Sequence, residues 1–128
     1  MGNRFSISSR VDEKRIKEEI SESPVVVYTR THCGYCKRAK TLLNDEKIPF
    51  NEKNLDIFNE KFPEKYQEYV NGLVYTTSQT FVPQIFICGK FIGGFTELNA
   101  LKMAGHLNEV VEECYREFGA VRLRKERL

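Results

Sequence analysis

The sequence predicts one α/β domain: a four-stranded mixed β-sheet flanked by helices, with an extra helix ahead of the first strand. Three observations predict it. A β-branched run, an amphipathic helix and a second strand follow one another between positions 25 and 55, and such a unit closes as a right-handed crossover between two parallel strands. A short hairpin pattern lies downstream, at Gln84–Cys88 and Phe91-Ile92, and adds antiparallel strands to the same sheet. The chain has 128 residues, room for one domain with helices covering the sheet.

Residues 1–10 read as a loose lead-in. From Asp12 to Glu22 charges are dense, and Val11, Ile16 and Ile20 form one narrow apolar stripe of a helix that Pro24 ends. Val25-Val26-Val27-Tyr28 is short, β-branched and free of charge, the pattern of a buried strand. Tyr35, Ala39, Leu42 and Leu43 recur at helical spacing, with Lys37, Arg38 and Lys40 off that stripe. Ile48–Leu55 reads as the second strand. Phe62, Tyr66, Tyr69, Val70 and Leu73 fit a third helix, with Pro63 in its first turn. Gln84–Cys88 is the third strand, Gly89-Lys90 a tight turn and Phe91-Ile92 the fourth strand. Thr96 is positioned to cap a short helix carrying Leu98, Leu101 and Met103. Leu107, Val110, Val111, Cys114, Tyr115 and Phe118 mark a final helix. A tail follows, with Arg122, Arg124, Lys125 and Arg127. The division expected is 1–23 lead-in and helix, 24–118 domain, 119–128 basic tail.

Composition narrows the function. Hydrophobic residues make up 41% and charged residues 30%, enough to bury a core. A formal net charge of +2 gives no argument for nucleic acid. No apolar run approaches the roughly 18 residues of a spanning helix, and no secretory signal is visible. Four cysteines are too few for a disulfide-stapled mini-protein. In a reducing compartment a close cysteine pair points to redox or metal chemistry.

That pair is Cys33-Gly34-Tyr35-Cys36, between a buried strand and an amphipathic helix. The setting puts Cys33 at a helix N-terminus, where unpaired N–H groups and the helix dipole favour a thiolate. Arg30 and Lys37 add positive charge nearby in sequence. Cys36, one turn on, can reach back to close a disulfide. A half zinc site is the competing reading, but a second cysteine pair at matching spacing is missing.

Tyr28-Thr29-Arg30, Cys33-Gly34-Tyr35-Cys36, Gln79, Phe81-Val82-Pro83-Gln84 and Gly93-Gly94-Phe95-Thr96 together resemble a dithiol glutaredoxin, over about residues 24–118. The resemblance implies a thioredoxin-like fold and a glutathione-dependent oxidoreductase that reduces protein–glutathione mixed disulfides and protein disulfides. It implies Cys33 as nucleophile and Cys36 as resolving thiol. It implies glutathione binding by Arg30, Tyr35, Gln79, Val82, Pro83, Gly94, Phe95 and Thr96. Arg30 and Gln79 match positions that hold the glycine carboxylate, Val82-Pro83 matches a cis-proline loop, and Phe95 and Thr96 match a helix start that holds the γ-glutamyl carboxylate. Thr80, Phe81 and Thr96 depart from the Arg, Thr and Asp frequent in the family, and the stretch from Asp56 to Val82 is longer than usual.

Two other function classes stand beside this one. Gly34 in place of the usual Pro is similar to members that hold an iron–sulfur cluster between two protomers, with Cys33 as the metal ligand and two glutathiones completing the set. A thioredoxin-type reductase is the second, against which stand the absence of Trp and the inner Gly-Tyr. Glutathionylated or disulfide-bearing proteins are the expected clients, with no nucleic acid and no transmembrane segment. A monomer is expected, or a dimer on cluster binding. Cys88 and Cys114 read as plain core cysteines, and His32 and His106 as solvated. Met1-Gly2-Asn3-Arg4-Phe5-Ser6 fits the N-myristoylation pattern at Gly2, so a cytoplasmic protein with weak membrane association is expected.

Overall fold

The computed structural model describes residues 10–127, with side chains described up to Gly119. The expectations for Gly2 and for the rest of residues 1–9 lie outside the described residues. The elements in order are α1 (Glu13–Ser21), β1 (Val25–Thr29), α2 (Gly34–Asp45), β2 (Asn51–Asn54), α3 (Leu55–Lys61), α4 (Tyr66–Thr77), β3 (Gln84–Ile87), β4 (Lys90–Gly93), α5 (Phe95–Met103) and α6 (Leu107–Arg127).

The expected mixed sheet forms, in the order β2-β1-β3-β4. β1 pairs with β2 in parallel and with β3 antiparallel, and β3 pairs with β4 antiparallel. All five residues of β1 are buried, as an uncharged central strand requires. Alternation along the strands splits the core into two layers. Val25, Val27, Ile85 and Ile87 face Leu42, Leu43, Leu98, Leu107 and Val111 from α2, α5 and α6. Val26, Tyr28 and Phe86 face Ile16, Ile20, Leu55, Tyr69 and Leu73 from α1, α3 and α4. The predicted N-terminal helix is therefore part of the second layer. Among the described residues no helix is long and apolar enough to cross a membrane.

α1 is capped by Asp12, whose side chain accepts from the Arg15 N–H at 3.2 Å. It docks on α4 through backbone contact: the Asp12 N–H donates to the Glu68 carbonyl at 3.0 Å. Gly72 permits this approach, because a Cβ built there would lie 2.5 Å from the Asp12 carbonyl oxygen. One residue of the dense charge on α1 turns inward. Glu19 is buried, and a single oxygen, Oε1, accepts from Tyr28 Oη at 2.8 Å and from Tyr69 Oη at 2.6 Å.

Five boundaries differ from the sequence reading. β2 is shorter than Ile48–Leu55, because Asn54 caps a helix: its Oδ1 accepts from the Asp56 and Ile57 N–H groups at 2.9 and 3.2 Å. Leu55 then opens α3. Pro63 lies between α3 and α4 rather than in a first helical turn. The hairpin turn is Cys88-Gly89, not Gly89-Lys90, and both turn residues have positive φ, 53° and 74°, as a two-residue hairpin turn of this hand demands. Gly94 rather than Thr96 is the N-cap of α5, with Glu97 Oε1 accepting from the Gly94 N–H at 2.7 Å. The backbone of α6 continues as helix through the positions of the basic tail.

Cys88 and Cys114 are not plain core cysteines but are bonded to each other, across a Cα–Cα distance of 5.5 Å. Cys88 is only partly buried, being in the turn and not on the strand.

Candidate active site

β1 ends at Thr29 and the chain turns through Arg30–His32 into α2. Cys33 is the N-cap of α2 in extended conformation, and the Cys36 N–H donates to its Sγ at 3.1 Å. The cap places sulfur where a serine or aspartate oxygen usually sits, against free N–H groups at the positive end of the helix. That environment stabilises a thiolate. Cys33 and Cys36 are bonded to each other, with Cα atoms 5.2 Å apart. They differ in access: Cys36 is 1% exposed, whereas Cys33 is only partly buried.

The loop before β3 closes one side. The Val82-Pro83 peptide is cis, and the Val82 carbonyl oxygen lies 3.8 Å from Cys33 Sγ. Two amides pin this loop. Gln79 Nε2 donates to the Phe81 carbonyl at 2.9 Å and to the Pro83 carbonyl at 3.4 Å. Gln84 Nε2, buried on β3, donates to the Gln79 and Phe81 carbonyls at 2.7 and 3.1 Å. Phe81 itself points outward and is 66% exposed. Gly94 lies against the same loop: a Cβ there would sit 3.3 Å from the Pro83 carbonyl oxygen. The Phe95 ring is 6.1 Å from the Tyr35 ring, and the Arg38 guanidinium lies over both, 4.5 and 5.4 Å from their centroids. Thr96 is exposed on the first turn of α5.

Tyr35, Val82, Pro83, Gly94 and Phe95 thus gather around the Cys33 end of α2. Arg30 and Gln79 also make contacts within the chain. The Gln79 amide holds the loop from within. Arg30 pairs with Asp56 at 3.1 Å and lies 5.9 Å from the Tyr66 ring centroid. Burial works against the Arg30 charge, but the Tyr66 hydroxyl and the Asp56 carboxylate outweigh it and hold its pKa above the ordinary value. Asp56 is held below the usual carboxylate range, first by the Thr31 N–H, which donates at 2.8 Å, and then by Arg30. Lys37 is exposed, and so is His32. Sequence reasoning gives Asp56, Arg38 and Gln84 no role of their own. Of these, Asp56 carries a usable signal, since Asn54 followed by an acidic residue is a helix start.

A glutaredoxin family model matches residues 25–92. The human protein named Glutaredoxin-2, mitochondrial is 35% identical over 101 residues, covering 79% of this chain and 58% of that one. This chain therefore spans less than two thirds of that relative. Glutaredoxin-C1 of Arabidopsis thaliana is 35% identical over 114 residues, 88% of this chain and 87% of its own. The crystal structure of the holo form of glutaredoxin C1 from Populus tremula x tremuloides superposes with a TM-score of 0.73 at 30% identity, over 80% of this chain and 88% of that one. A buckwheat glutaredoxin–glutathione complex does so with a TM-score of 0.71 at 25% identity, over 89% and 96%. On the family model, the relatives and the shared thioredoxin-like architecture, the chain belongs to the glutaredoxin family.

Proposed function

We propose that residues 24–118 carry a glutathione-dependent thiol–disulfide oxidoreductase acting on protein–glutathione mixed disulfides and on protein disulfides. The observation that carries this reading is the bonded Cys33–Cys36 pair at the N-terminus of α2, with Cys33 the accessible member. The Cys33 thiolate attacks the glutathione sulfur of a mixed disulfide, and the client leaves as a thiolate that takes up a proton. A second glutathione thiolate attacks the glutathione sulfur on Cys33, giving oxidised glutathione and free Cys33. With a protein disulfide, Cys33 forms the mixed disulfide and Cys36 attacks Cys33 Sγ. The client is released as a dithiol and the Cys33–Cys36 bond forms. Two glutathiones reduce that bond again.

The buckwheat glutathione complex supports glutathione as the co-substrate. In this reading the tripeptide lies beside Tyr35 and Phe95, its cysteine backbone along Val82-Pro83. Its γ-glutamyl carboxylate meets the first N–H groups of α5 at Phe95 and Thr96, beyond Gly94. Arg30 meets the glycine carboxylate and Gln79 keeps the loop in shape. Glutathione, and not a flavoprotein-supplied dithiol, is expected to drive turnover, which separates this reading from a thioredoxin-type reductase. Arg30→Glu should raise KM for glutathione about tenfold with kcat retained, as the loss of one charge-assisted contact predicts. An unchanged KM at low and high salt removes Arg30 from the site.

A cluster-carrying form asks for more than this chain supplies. Cys33 offers one thiolate, so two chains and two glutathiones would have to complete a two-iron cluster. Cytoplasmic residence and acylation at Gly2 rest on the sequence alone, and a single acyl chain there gives only reversible membrane binding.

A further inference from the structure

We infer that Cys88 and Cys114 form a second thiol–disulfide site, a reducible bridge that staples α6 to the β3–β4 turn and is separate from the Cys33–Cys36 pair. This goes beyond the oxidoreductase reading and does not rest on it. The first observation is the bond itself, between residues 26 positions apart on two different elements. The second is the conformation of Cys88. Its φ of 53° and the 74° of Gly89 form the two positive-φ positions of the hairpin turn, where Asn-Gly or Asp-Gly is favoured. A residue with a Cβ and no local hydrogen-bonding group gains nothing from φ > 0. The turn geometry therefore does not account for a cysteine here, and the bridge does.

The staple joins three segments. The Cys88 N–H donates to the Pro24 carbonyl at 2.8 Å, just ahead of β1, and Cys114 Sγ lies 3.8 Å from the same oxygen. The two sulfurs differ in access. Cys114 is 2% exposed on the apolar face of α6, and Cys88 is only partly buried. An incoming thiolate therefore attacks Cys88. The Glu117 carboxylate lies 3.8 Å from Cys88 Sγ and repels an anionic thiol such as glutathione. An uncharged dithiol meets no such repulsion and is the favoured reductant. One thiolate of the dithiol attacks Cys88 Sγ, the Cys88–Cys114 bond breaks, and Cys114 leaves as a thiolate and takes up a proton. The second thiolate attacks the dithiol sulfur now bonded to Cys88. Cys88 is released and protonated, and the reductant departs as a cyclic disulfide with two electrons fewer.

Reduction opens a closed loop and leaves α6 held by packing at Leu107 and Val111. The test uses a Cys33→Ser/Cys36→Ser chain, which retains the second pair as its only cysteines. Air-oxidised, it should show no free thiol. With dithiothreitol it should show two, and its thermal midpoint should fall by roughly 10 °C, the size expected for opening a loop of this length. Glutathione at equal thiol concentration should act more slowly, and Glu117→Gln should narrow that gap. Adding Cys88→Asn should keep the turn and abolish the response to dithiothreitol. Differential alkylation and peptide mapping of the unsubstituted chain gives an independent readout, a bridged Cys88–Cys114 peptide. Two free thiols persisting under oxidant, no bridged peptide, or a midpoint that does not move on reduction would each overturn the inference.

Discussion

Cys33→Ser is expected to lower turnover of a glutathionylated peptide at least ~1000-fold, while Cys36→Ser lowers it by less than about tenfold. The asymmetry follows from the two environments. Cys33 sits at the helix end, accepts the Cys36 N–H and is open to a substrate, whereas Cys36 is sealed at 1% exposure. A serine hydroxyl in the first position stays protonated near neutrality and is a poor nucleophile toward sulfur. The deglutathionylation cycle needs only one thiol on the protein, so the second can be removed. Reduction of a protein disulfide should behave oppositely: Cys36→Ser should stall it as a client trapped on Cys33, visible as a reducible adduct on a gel. The measurement is steady-state turnover of both substrate types by each variant. Unreduced turnover in Cys33→Ser would move the nucleophile elsewhere.

The largest effect on stability is expected at Glu19. Its Oε1 accepts from two buried hydroxyls, Tyr28 and Tyr69. Glu19→Ala leaves both donors without a partner in a buried layer, each at about 1–3 kcal/mol, so a loss of about 2–6 kcal/mol is expected in denaturant unfolding. Glu19→Gln keeps an acceptor oxygen and should lose less. Alanine and glutamine variants of equal stability would mean that the hydroxyls find other partners. The same cluster sets an alkaline limit. Burial, with the nearby Glu19 charge, raises the pKa of both tyrosines above the ordinary 10.0. Above pH 10 the unfolded chain releases these protons and the folded chain keeps them. Their contribution is therefore complete below that pH, and stability falls as the pH rises beyond it.

Much of the fold and part of the site are legible in the residue order. Val25–Tyr28 has the composition of a buried strand and of little else, and a cysteine pair between it and an amphipathic helix puts Cys33 at a cap by chain order alone. The gathering of Val82, Pro83, Gly94 and Phe95 beside it follows from the family resemblance and not from spacing. What stays hidden depends on partners far along the chain. Glu19 looks like one charge among many on a polar helix. Spacing does set it three residues after Ile16, beside the apolar stripe, but its partners, the tyrosines on β1 and α4, lie far along the chain. Asn54 and Leu55 read as the end of a strand, although Asn54 is a favoured cap and its side chain in fact accepts from the Asp56 and Ile57 N–H groups. The Cys88–Cys114 bond requires that a turn and a helix 26 residues apart meet at Pro24. The alternation of Cys88 with Phe86 suggests a strand continuing inward, whereas the backbone has already reversed.

The close seat of Asp12 against Gly72 bears on how this architecture can be extended or transplanted. The helix α1 is not an appendage that any related scaffold could accept. Its cap residue rests where a methyl group at position 72 would stand 2.5 Å from a backbone oxygen, and the Asp12–Glu68 backbone bond depends on that clearance. Host and helix are therefore a matched pair. A graft of residues 10–21 onto another sheet of this kind must bring a glycine to the facing helix, and deletion of α1 would leave in α4 a glycine with no purpose, costing about 1 kcal/mol relative to alanine.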